Sequence, residues 1–254
     1  AGTGTDSSTR NDTFRGAVQD LLFEPPRAEG QRGHSPSGQS VQVLWPQGAT
    51  KGRATSQGGA RGLARNVEKG RMTESEKDAA LARITYVDDM AKAASADWAV
   101  EAATENPEVK EKIFATMAST FSSDTVLATN TSSISITRIA TATGDAADRV
   151  VGMHFFNPVP VMKLVEVIKG LATSDQTVDR TIALAERMGK TPILAHDRAG
   201  FVSNRVLMPM INEAFFAWME GVAEPAAIDD IMTLGCNFPM GPLRLADFIG
   251  LDVC

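Results

Sequence analysis

The chain has 254 residues, a formal net charge of −6 and a hydrophobic fraction of 43%. These values fit a globular protein of one large or two modest domains, and the acidic charge argues against a nucleic-acid partner. Because no apolar run approaches the roughly 18 residues of a membrane-spanning helix, we expect no membrane partner. Two cysteines, Cys236 and Cys254, are too few for a disulfide framework and suit a reducing compartment.

The segment 1–62 shows no helical or strand periodicity except at residues 41–45, which could form a strand. It is rich in Gly, Ser and Gln and can bury little apolar surface, so we predict that it is mostly disordered. Its several acidic residues argue against a transit peptide. A pattern with helix and strand periodicity begins abruptly at Leu63. Our hypothesis is that residues 5–60 derive from a frameshifted or mis-spliced reading of the normal coding region.

Beyond Leu63, the pattern alternates between helix and strand. Thr73 and Glu76 have the spacing of a capping box and predict a helix to about Arg83, and Pro107 favours the start of another helix. A further helix is predicted at residues 175–188. Strands are predicted at residues 84–87, 97–102, 125–129, 149–155, 163–168 and 192–196. This order is typical of the second half of a doubly wound nucleotide-binding domain.

Polar side chains follow the predicted strand at residues 125–129. Asn130, Thr131, Ser132 and Ser133 would lie at its carboxyl end, where open α/β sheets bind ligands, so they are well placed for a substrate. Asn204 precedes the apolar-periodic stretch 206–219, which places its amide in the first turn of a predicted helix.

His154 and Glu166 are twelve residues apart, on two predicted strands joined by a proline-rich turn. This arrangement can bring the imidazole and the carboxylate together, and such a pair serves as a general base with the group that orients it. The alternative is that His154 is a core residue beside two phenylalanines and that Glu166 pairs with a surface lysine.

The chain has three histidines, His34, His154 and His196, and neither they nor the two cysteines show the spacing of a metal site. We therefore expect no metal. His196, at the end of a predicted strand, is interpreted as structural or exposed.

Four stretches carry a family resemblance: NTSS at 130–133, GMHFFNPVPVMKLVEVI at 152–168, GFVSNRVLMPMINEA at 200–214 and NFPMGPLRLADFIGLD at 237–252. From about Leu63 to Cys254 the chain resembles the L-3-hydroxyacyl-CoA dehydrogenase family, most closely the bacterial-type 3-hydroxybutyryl-CoA dehydrogenases. The resemblance implies NAD-dependent oxidation of a (3S)-3-hydroxyacyl-CoA, expected to be 3-hydroxybutyryl-CoA, to the 3-ketoacyl-CoA, or the reverse reduction, in fatty acid or butanoate metabolism.

The same resemblance implies roles for the substrate-side residues. His154 would take the proton of the substrate's 3-hydroxyl group, with Glu166 as its electrostatic partner. Ser132 and Asn204 would hydrogen-bond the substrate oxygen as it becomes a carbonyl. Asn157 would lie beside the nicotinamide.

Three further positions match the family in the neighbourhood of the cofactor and of CoA. Glu105 and Lys110 match residues that contact NAD, as Ser132 does, although a Glu and a Lys five apart at a helix entrance are commonly surface residues. Lys69 falls roughly where the family has a lysine near the CoA phosphates.

The resemblance implies an α/β fold: a doubly wound, Rossmann-like NAD-binding domain with an aberrant N-terminal part, followed by an all-helical domain expected to be truncated. The expected divisions are residues 1–62, 63–198 and 199–254. The family's glycine-rich turn is expected near the start, but Gly2 and Gly4 are followed by Ser7 where the third glycine would stand.

NAD is the expected cofactor, with NADP left open, and an acyl-CoA is the expected partner. The family suggests a homodimer, and the expected location is the cytoplasm, or an organelle matrix in a eukaryote. The alternative function is a catalytically impaired fragment that acts at most as an acyl-CoA binder or subunit partner. A sugar-acid dehydrogenase of the same superfamily is less favoured.

Overall fold

The structure, a computed structural model, describes residues 41–44 and 52–251, with side chains from residue 60 onward. The predicted interruption of the glycine-rich turn and most of the segment predicted to be disordered lie outside these residues. The chain divides into two compact units, Ala1–Asp197 and Arg198–Cys254. Among the described residues, no helix combines the length and the apolar character that a membrane crossing requires.

The described residues of the first unit contain seven strands: β1 Val41–Leu44, β2 Ile84–Val87, β3 Trp98–Glu101, β4 Val126–Thr129, β5 Val150–Phe155, β6 Leu164–Lys169 and β7 Thr191–His196. Its helices are α1 Gly52–Glu68, α2 Glu74–Leu81, α3 Pro107–Thr120, α4 Ile136–Thr141 and α5 Asp175–Arg187, with short 3₁₀ turns at Met90–Ala93 and Gly144–Arg149. The second unit contains the helices α6 Ser203–Met219, α7 Pro225–Leu234 and α8 Pro242–Ile249. The predicted combination of an α/β nucleotide-binding fold with a helical second part is confirmed.

The main sheet has the order β3-β4-β5-β6-β7. β3, β4 and β5 are parallel, β6 runs antiparallel to β5, and β7 is parallel to β6. β1 and β2 form a separate parallel pair. Every residue of β4 and β5 is buried, as expected for central strands covered on both faces. The carboxyl ends of β3, β4 and β5 therefore open at one edge of the sheet.

The local signals in the sequence explain where the helices begin. Thr73 accepts a hydrogen bond from Glu76 N while the Glu76 carboxylate accepts from Thr73 N, so the predicted capping box is confirmed at the start of α2. Pro107 occupies the first turn of α3, where its missing N–H costs no hydrogen bond, and Asn106 caps that helix through Val109 N.

The main core lies between the sheet and α5. Val151, Met153 and Val165 of the sheet pack against Val178 and Ala185 of α5, and all are buried. Apolar burial of this kind is the principal force that holds a helix on a sheet. It fixes the sheet whose edge carries the polar residues described below.

Helix α1 lies partly inside the segment that composition predicts to be disordered, because residues 52–62 are helical. Its second half is anchored by Leu63, which is buried in a small cluster with Met72 and Ala80 and with Val67 packed beside it. The prediction of disorder is wrong for this stretch, since tertiary packing, more than local propensity, stabilises most helices in proteins.

Candidate active site

His154 and Glu166 are directly opposed across the antiparallel pair of β5 and β6. Their side chains lie on the same face, as cross-strand partners do, and His154 Nδ1 is 2.7 Å from Glu166 Oε2. The two residues are only 6% and 4% exposed. The structure thus brings together the two side chains that the sequence singled out, and Glu166 is buried against the imidazole.

This contact determines what the imidazole can do. A carboxylate can only accept a hydrogen bond, so the proton of the neutral ring lies on Nδ1 and the basic nitrogen is Nε2. When Nε2 takes up a proton, the adjacent carboxylate stabilises the resulting imidazolium. The ring of Phe156 packs against the imidazole, with 4.8 Å between the ring centroids, and helps to hold its orientation.

The β4–β5 ladder ends at the pair Thr129 and Gly152, before β5 reaches His154. Beyond this point, Asn130 bridges the two strands, because its Oδ1 accepts a hydrogen bond from Phe155 N at 2.9 Å. The side chain thus continues the connection where backbone pairing stops. Asn130 links the loop after β4 to the residue that follows the histidine.

The loop that carries Ser132 is held by Glu105. Its carboxylate accepts from Thr131 Oγ1 at 2.7 Å and from Ser132 N at 3.1 Å. Thr131 Oγ1 in turn accepts from Ile134 N at 3.0 Å. Glu105 therefore fixes the backbone from which the Ser132 hydroxyl projects, and the structure brings these two predicted site residues together.

Lys110 is 1% exposed, so the alternative that it is an ordinary surface residue is wrong. Its Nζ lies 2.5 Å from Glu101 Oε2 and 3.3 Å from Thr129 Oγ1. The inward face of α3 sets this position, and a buried ammonium group requires a partner of this kind. Glu101 also accepts from Thr129 Oγ1 at 2.9 Å and from Ala103 N at 2.5 Å.

Glu101 and Lys190 are residues of this region that the sequence analysis missed. A glutamate that ends an otherwise apolar strand is a signal that could have drawn attention to Glu101. Lys190 follows the end of α5, and its Nζ donates to Val159 O at 2.6 Å and to Met162 O at 2.8 Å, both in the turn between β5 and β6. Asn157 is exposed at the start of that turn.

Asn204 lies in the second unit, in the first turn of α6, so the predicted helix position is confirmed. Gly200 precedes this helix with φ +75°, and a side chain there would bring a Cβ within 2.9 Å of Arg205 N. Lys69 is exposed just beyond the end of α1. His196 is exposed at the end of β7.

Local packing explains the glycine of the NFPMGP stretch in the second unit. The buried Asp229 accepts from Leu243 N at 2.9 Å and from Arg244 N at 3.0 Å, and thereby caps the first turn of α8. A Cβ at Gly241 would lie 2.3 Å from this side chain. Only glycine allows the carboxylate to approach so closely.

The polar side chains at the sheet edge fit the nicotinamide half of a dinucleotide. Asn157, Ser132 and Glu105 lie two, three and four residues past the ends of β5, β4 and β3, at the place where doubly wound sheets bind cofactors. They offer amide, hydroxyl and carboxylate groups for a carboxamide and a ribose. Within the described part of the chain, no group of three or more His, Cys, Asp or Glu residues could hold a metal ion.

Comparison with known proteins identifies the family. The model of the 3-hydroxyacyl-CoA dehydrogenase NAD-binding domain matches residues 37–198, and that of the C-terminal domain matches residues 200–254. The chain belongs to the 3-hydroxyacyl-CoA dehydrogenase family. The predicted family and its cofactor NAD are confirmed, and the match begins at residue 37, earlier than the Leu63 expected from the motifs.

Two curated relatives illustrate the similarity. A probable 3-hydroxybutyryl-CoA dehydrogenase of Bacillus subtilis is 55% identical over 192 residues, which cover 76% of this chain and 67% of the relative. A 3-hydroxybutyryl-CoA dehydrogenase of Bradyrhizobium diazoefficiens is 47% identical over 192 residues, covering 76% of this chain and 65% of the relative. The chain thus spans about two thirds of the length of these relatives.

A solved structure gives the same result. The (S)-3-hydroxybutyryl-CoA dehydrogenase of Ralstonia eutropha superposes with a TM-score of 0.84 and 42% identity, covering 96% of this chain and 80% of that one. None of these comparisons supports the alternative of a catalytically impaired fragment.

Proposed function

We propose that this chain catalyses the NAD-dependent oxidation of (3S)-3-hydroxyacyl-CoA to 3-ketoacyl-CoA, and the reverse reduction. The observation that carries the proposal is the buried hydrogen bond of 2.7 Å between His154 and Glu166 in a member of this family. A buried imidazole held by a carboxylate is the group that alcohol oxidation needs, because the hydroxyl proton must leave as the carbonyl forms.

In the oxidation, the substrate's 3-hydroxyl donates its proton to His154 Nε2. Bound NAD would supply the acceptor for the hydride that leaves carbon 3. The carbon–oxygen bond thereby becomes a carbonyl, and the proton remains on the imidazole, where Glu166 stabilises the positive charge. In the reverse reduction, the imidazolium returns this proton to the oxygen.

Two further side chains would act on the reacting oxygen. We assign the Ser132 hydroxyl and the Asn204 amide as its hydrogen-bond donors, since polar donors stabilise charge that develops on an oxygen. The contacts of Glu105 with Thr131 and Ser132 support this assignment, because they hold the Ser132 backbone in place. Aligned donors of this kind reduce the entropic cost of reaching the transition state.

The cofactor side of the site is assigned to Asn157, Glu105 and Lys110. Asn157 is placed beside the nicotinamide because it is exposed three residues after His154. Because Lys110 is buried against Glu101, we assign it the role of holding the carboxyl ends of β3 and β4 in place. Lys69, an exposed lysine, is assigned to the phosphates of CoA.

We assign 3-hydroxybutyryl-CoA as the preferred substrate, because relatives of this name are 47% to 55% identical over three quarters of the chain. A role in fatty acid or butanoate metabolism and a homodimeric assembly follow from the same relationship. A human relative is named as mitochondrial and the others are bacterial, which supports the cytoplasm or an organelle matrix as the location.

The test uses the purified full chain with NAD and the two enantiomers of 3-hydroxybutyryl-CoA in separate assays. We expect NADH to form with the (3S) substrate and not with the (3R) substrate, at a rate that saturates with both NAD and acyl-CoA. Equal rates with the two enantiomers, or no reaction with a folded chain, would contradict the proposal.

A further inference from the structure

The turn between β5 and β6 separates the two members of the His154–Glu166 pair. The β5–β6 ladder ends at the pair Phe155 and Val165, directly beside His154 and Glu166. Because register in an antiparallel pair is set by its connecting turn, the conformation of this turn fixes the opposition of the imidazole and the carboxylate. Asn157 stands at the start of the same turn.

Lys190 holds this turn from a separate part of the chain. The residue is 8% exposed, and its Nζ donates to Val159 O at 2.6 Å and to Met162 O at 2.8 Å. The two carbonyls are three residues apart in the middle of the turn. Hydrogen bonds from a charged donor are stronger than those between neutral groups, so one side chain ties two points of the turn together.

The backbone of Lys190 is itself well anchored. Lys190 N donates to Ala185 O at 3.0 Å, which attaches the residue to the end of α5. The next residue, Thr191, donates its N–H to Lys163 O at 2.8 Å and begins the pairing of β7 with β6. The ammonium group is therefore presented to the turn by two rigid elements.

We propose that Lys190 is a positioning residue of this site: its ammonium group holds the Val159 and Met162 carbonyls and thereby keeps His154, Glu166 and Asn157 in their working arrangement. The effect on turnover rests on the function proposed above, while the effect on the His154–Glu166 hydrogen bond does not. Lys190 acts through the turn and makes no contact with the reacting atoms in this account.

The decisive variant is Lys190→Met, which keeps an unbranched side chain as long as the lysine stem and removes the ammonium group. Both carbonyls lose their charged donor, so the turn gains freedom and the paired side chains lose alignment. We expect kcat to fall by about 10- to 100-fold, because small misplacements of reacting groups have effects of this size. The KM for acetoacetyl-CoA should change much less, since the turn is not assigned to CoA binding.

The matched control is Lys169→Met, at the opposite end of β6. Lys169 forms an ion pair with the exposed Asp175, and exposed pairs contribute little. We expect this variant to keep the kcat of the unmodified chain. A second variant, Lys190→Arg, retains a charged donor and should recover a large part of the loss seen in Lys190→Met.

The measurement that separates a positioning role from a merely structural one is the NMR resonance of the proton on His154 Nδ1. In protein labelled with ¹⁵N-histidine, the hydrogen bond to Glu166 should give a downfield N–H resonance, assigned by its disappearance in His154→Gln. We expect this resonance in the unmodified chain and in Lys169→Met, and we expect it to broaden or vanish in Lys190→Met while circular dichroism shows a folded protein.

An unchanged resonance together with an unchanged kcat in Lys190→Met would overturn the inference. If Lys190→Met does not fold, Lys190→Gln provides the same test with a smaller expected loss, because its amide can still donate to one carbonyl. An inactive unmodified chain would contradict the proposed function and would leave the resonance as a separate test of the Lys190 assignment.

Discussion

Two buried pairs of ionisable side chains involve strands of the main sheet, and they differ in the chemistry of their nitrogen base. Lys110 lies 2.5 Å from Glu101, and His154 lies 2.7 Å from Glu166. Lys110 and Glu101 hold each other and Thr129 in place, which favours a structural role, whereas the imidazole of a histidine is the side chain best suited to gain and lose a proton near neutral pH. Burial and pairing are therefore shared by a pair that favours a structural role and a pair proposed to be catalytic, and the proton chemistry of the nitrogen base separates them.

The largest effect is expected at the histidine pair. His154→Gln removes the basic nitrogen, and we expect kcat to fall by about 10²- to 10⁴-fold, the usual contribution of a general base. Acyl-CoA binding, measured by calorimetry, should remain close to that of the unmodified chain, because the base acts on the reacting proton and not on CoA. A variant with substantial turnover would remove His154 from the mechanism.

Loss of the Lys110–Glu101 pair should change the stability of the chain more than its catalysis. Lys110→Met leaves the Glu101 carboxylate buried without its cation, and we expect the free energy of unfolding to fall by about 3 kcal/mol. Thr129 Oγ1 and Ala103 N still donate to Glu101, which keeps the expected loss from being larger. Urea denaturation would measure the loss, with Lys112→Met on the exposed face of α3 as the control.

A double variant tests whether the unpaired charge of Glu101 causes the stability loss expected in Lys110→Met. Glu101→Gln combined with Lys110→Met removes both charges, and we expect it to be more stable than Lys110→Met alone, because no charge is then buried without its partner. A double variant less stable than the single one would show that the pair contributes mainly through its hydrogen bonds and not through charge compensation.

Glu166→Gln tests the partner of the base without removing the base. The amide can still contact Nδ1, but it no longer stabilises the imidazolium, and we expect kcat to fall by about 10²-fold, at the lower end of the range for such catalysis. Steady-state kinetics with NAD and substrate at saturation would measure it. A loss larger than that of His154→Gln would contradict the assigned order of roles.

The smallest expected effect concerns Asp197, at the end of the first unit. Burial raises the pKa of Asp197, but hydrogen bonds from Thr137, Ser135 and Ile136 outweigh it, so the pKa lies below its usual value. A carboxyl with a lowered pKa adds stability above its unfolded pKa, and this stability is lost as the pH falls through the folded pKa. Asp197→Asn should therefore lower Tm slightly at neutral pH and show a weaker loss below about pH 4. Parallel thermal melts across this range would measure the difference.

The sequence identified the histidine pair because its signal is local. A histidine and a glutamate on adjacent strands joined by a short turn can lie opposite each other when the turn sets the register, and helix and strand periodicity located the strands themselves. The capping residues Thr73 and Glu76 and the first-turn Pro107 likewise act through neighbours in the chain, so their helices were predicted close to their observed bounds.

The sequence did not reveal the contacts that join distant segments. Lys190 reaches carbonyls 28 and 31 residues away, and nothing in its neighbourhood shows which backbone it faces. Lys110 could be read as a surface residue because the inward face of α3 is defined only after the helix packs on the sheet. Helix α1 was missed because the partners of Leu63 that stabilise it, Met72 and Ala80, lie beyond the helix.

The most direct test of the central claim is a titration of the purified chain with NADH, followed by fluorescence, with acetoacetyl-CoA then added and the nicotinamide absorbance recorded. We expect saturable NADH binding and oxidation of NADH on addition of acetoacetyl-CoA, with binding but almost no oxidation in His154→Gln. A folded chain that binds no NADH, or that oxidises it equally well without His154, would contradict the account.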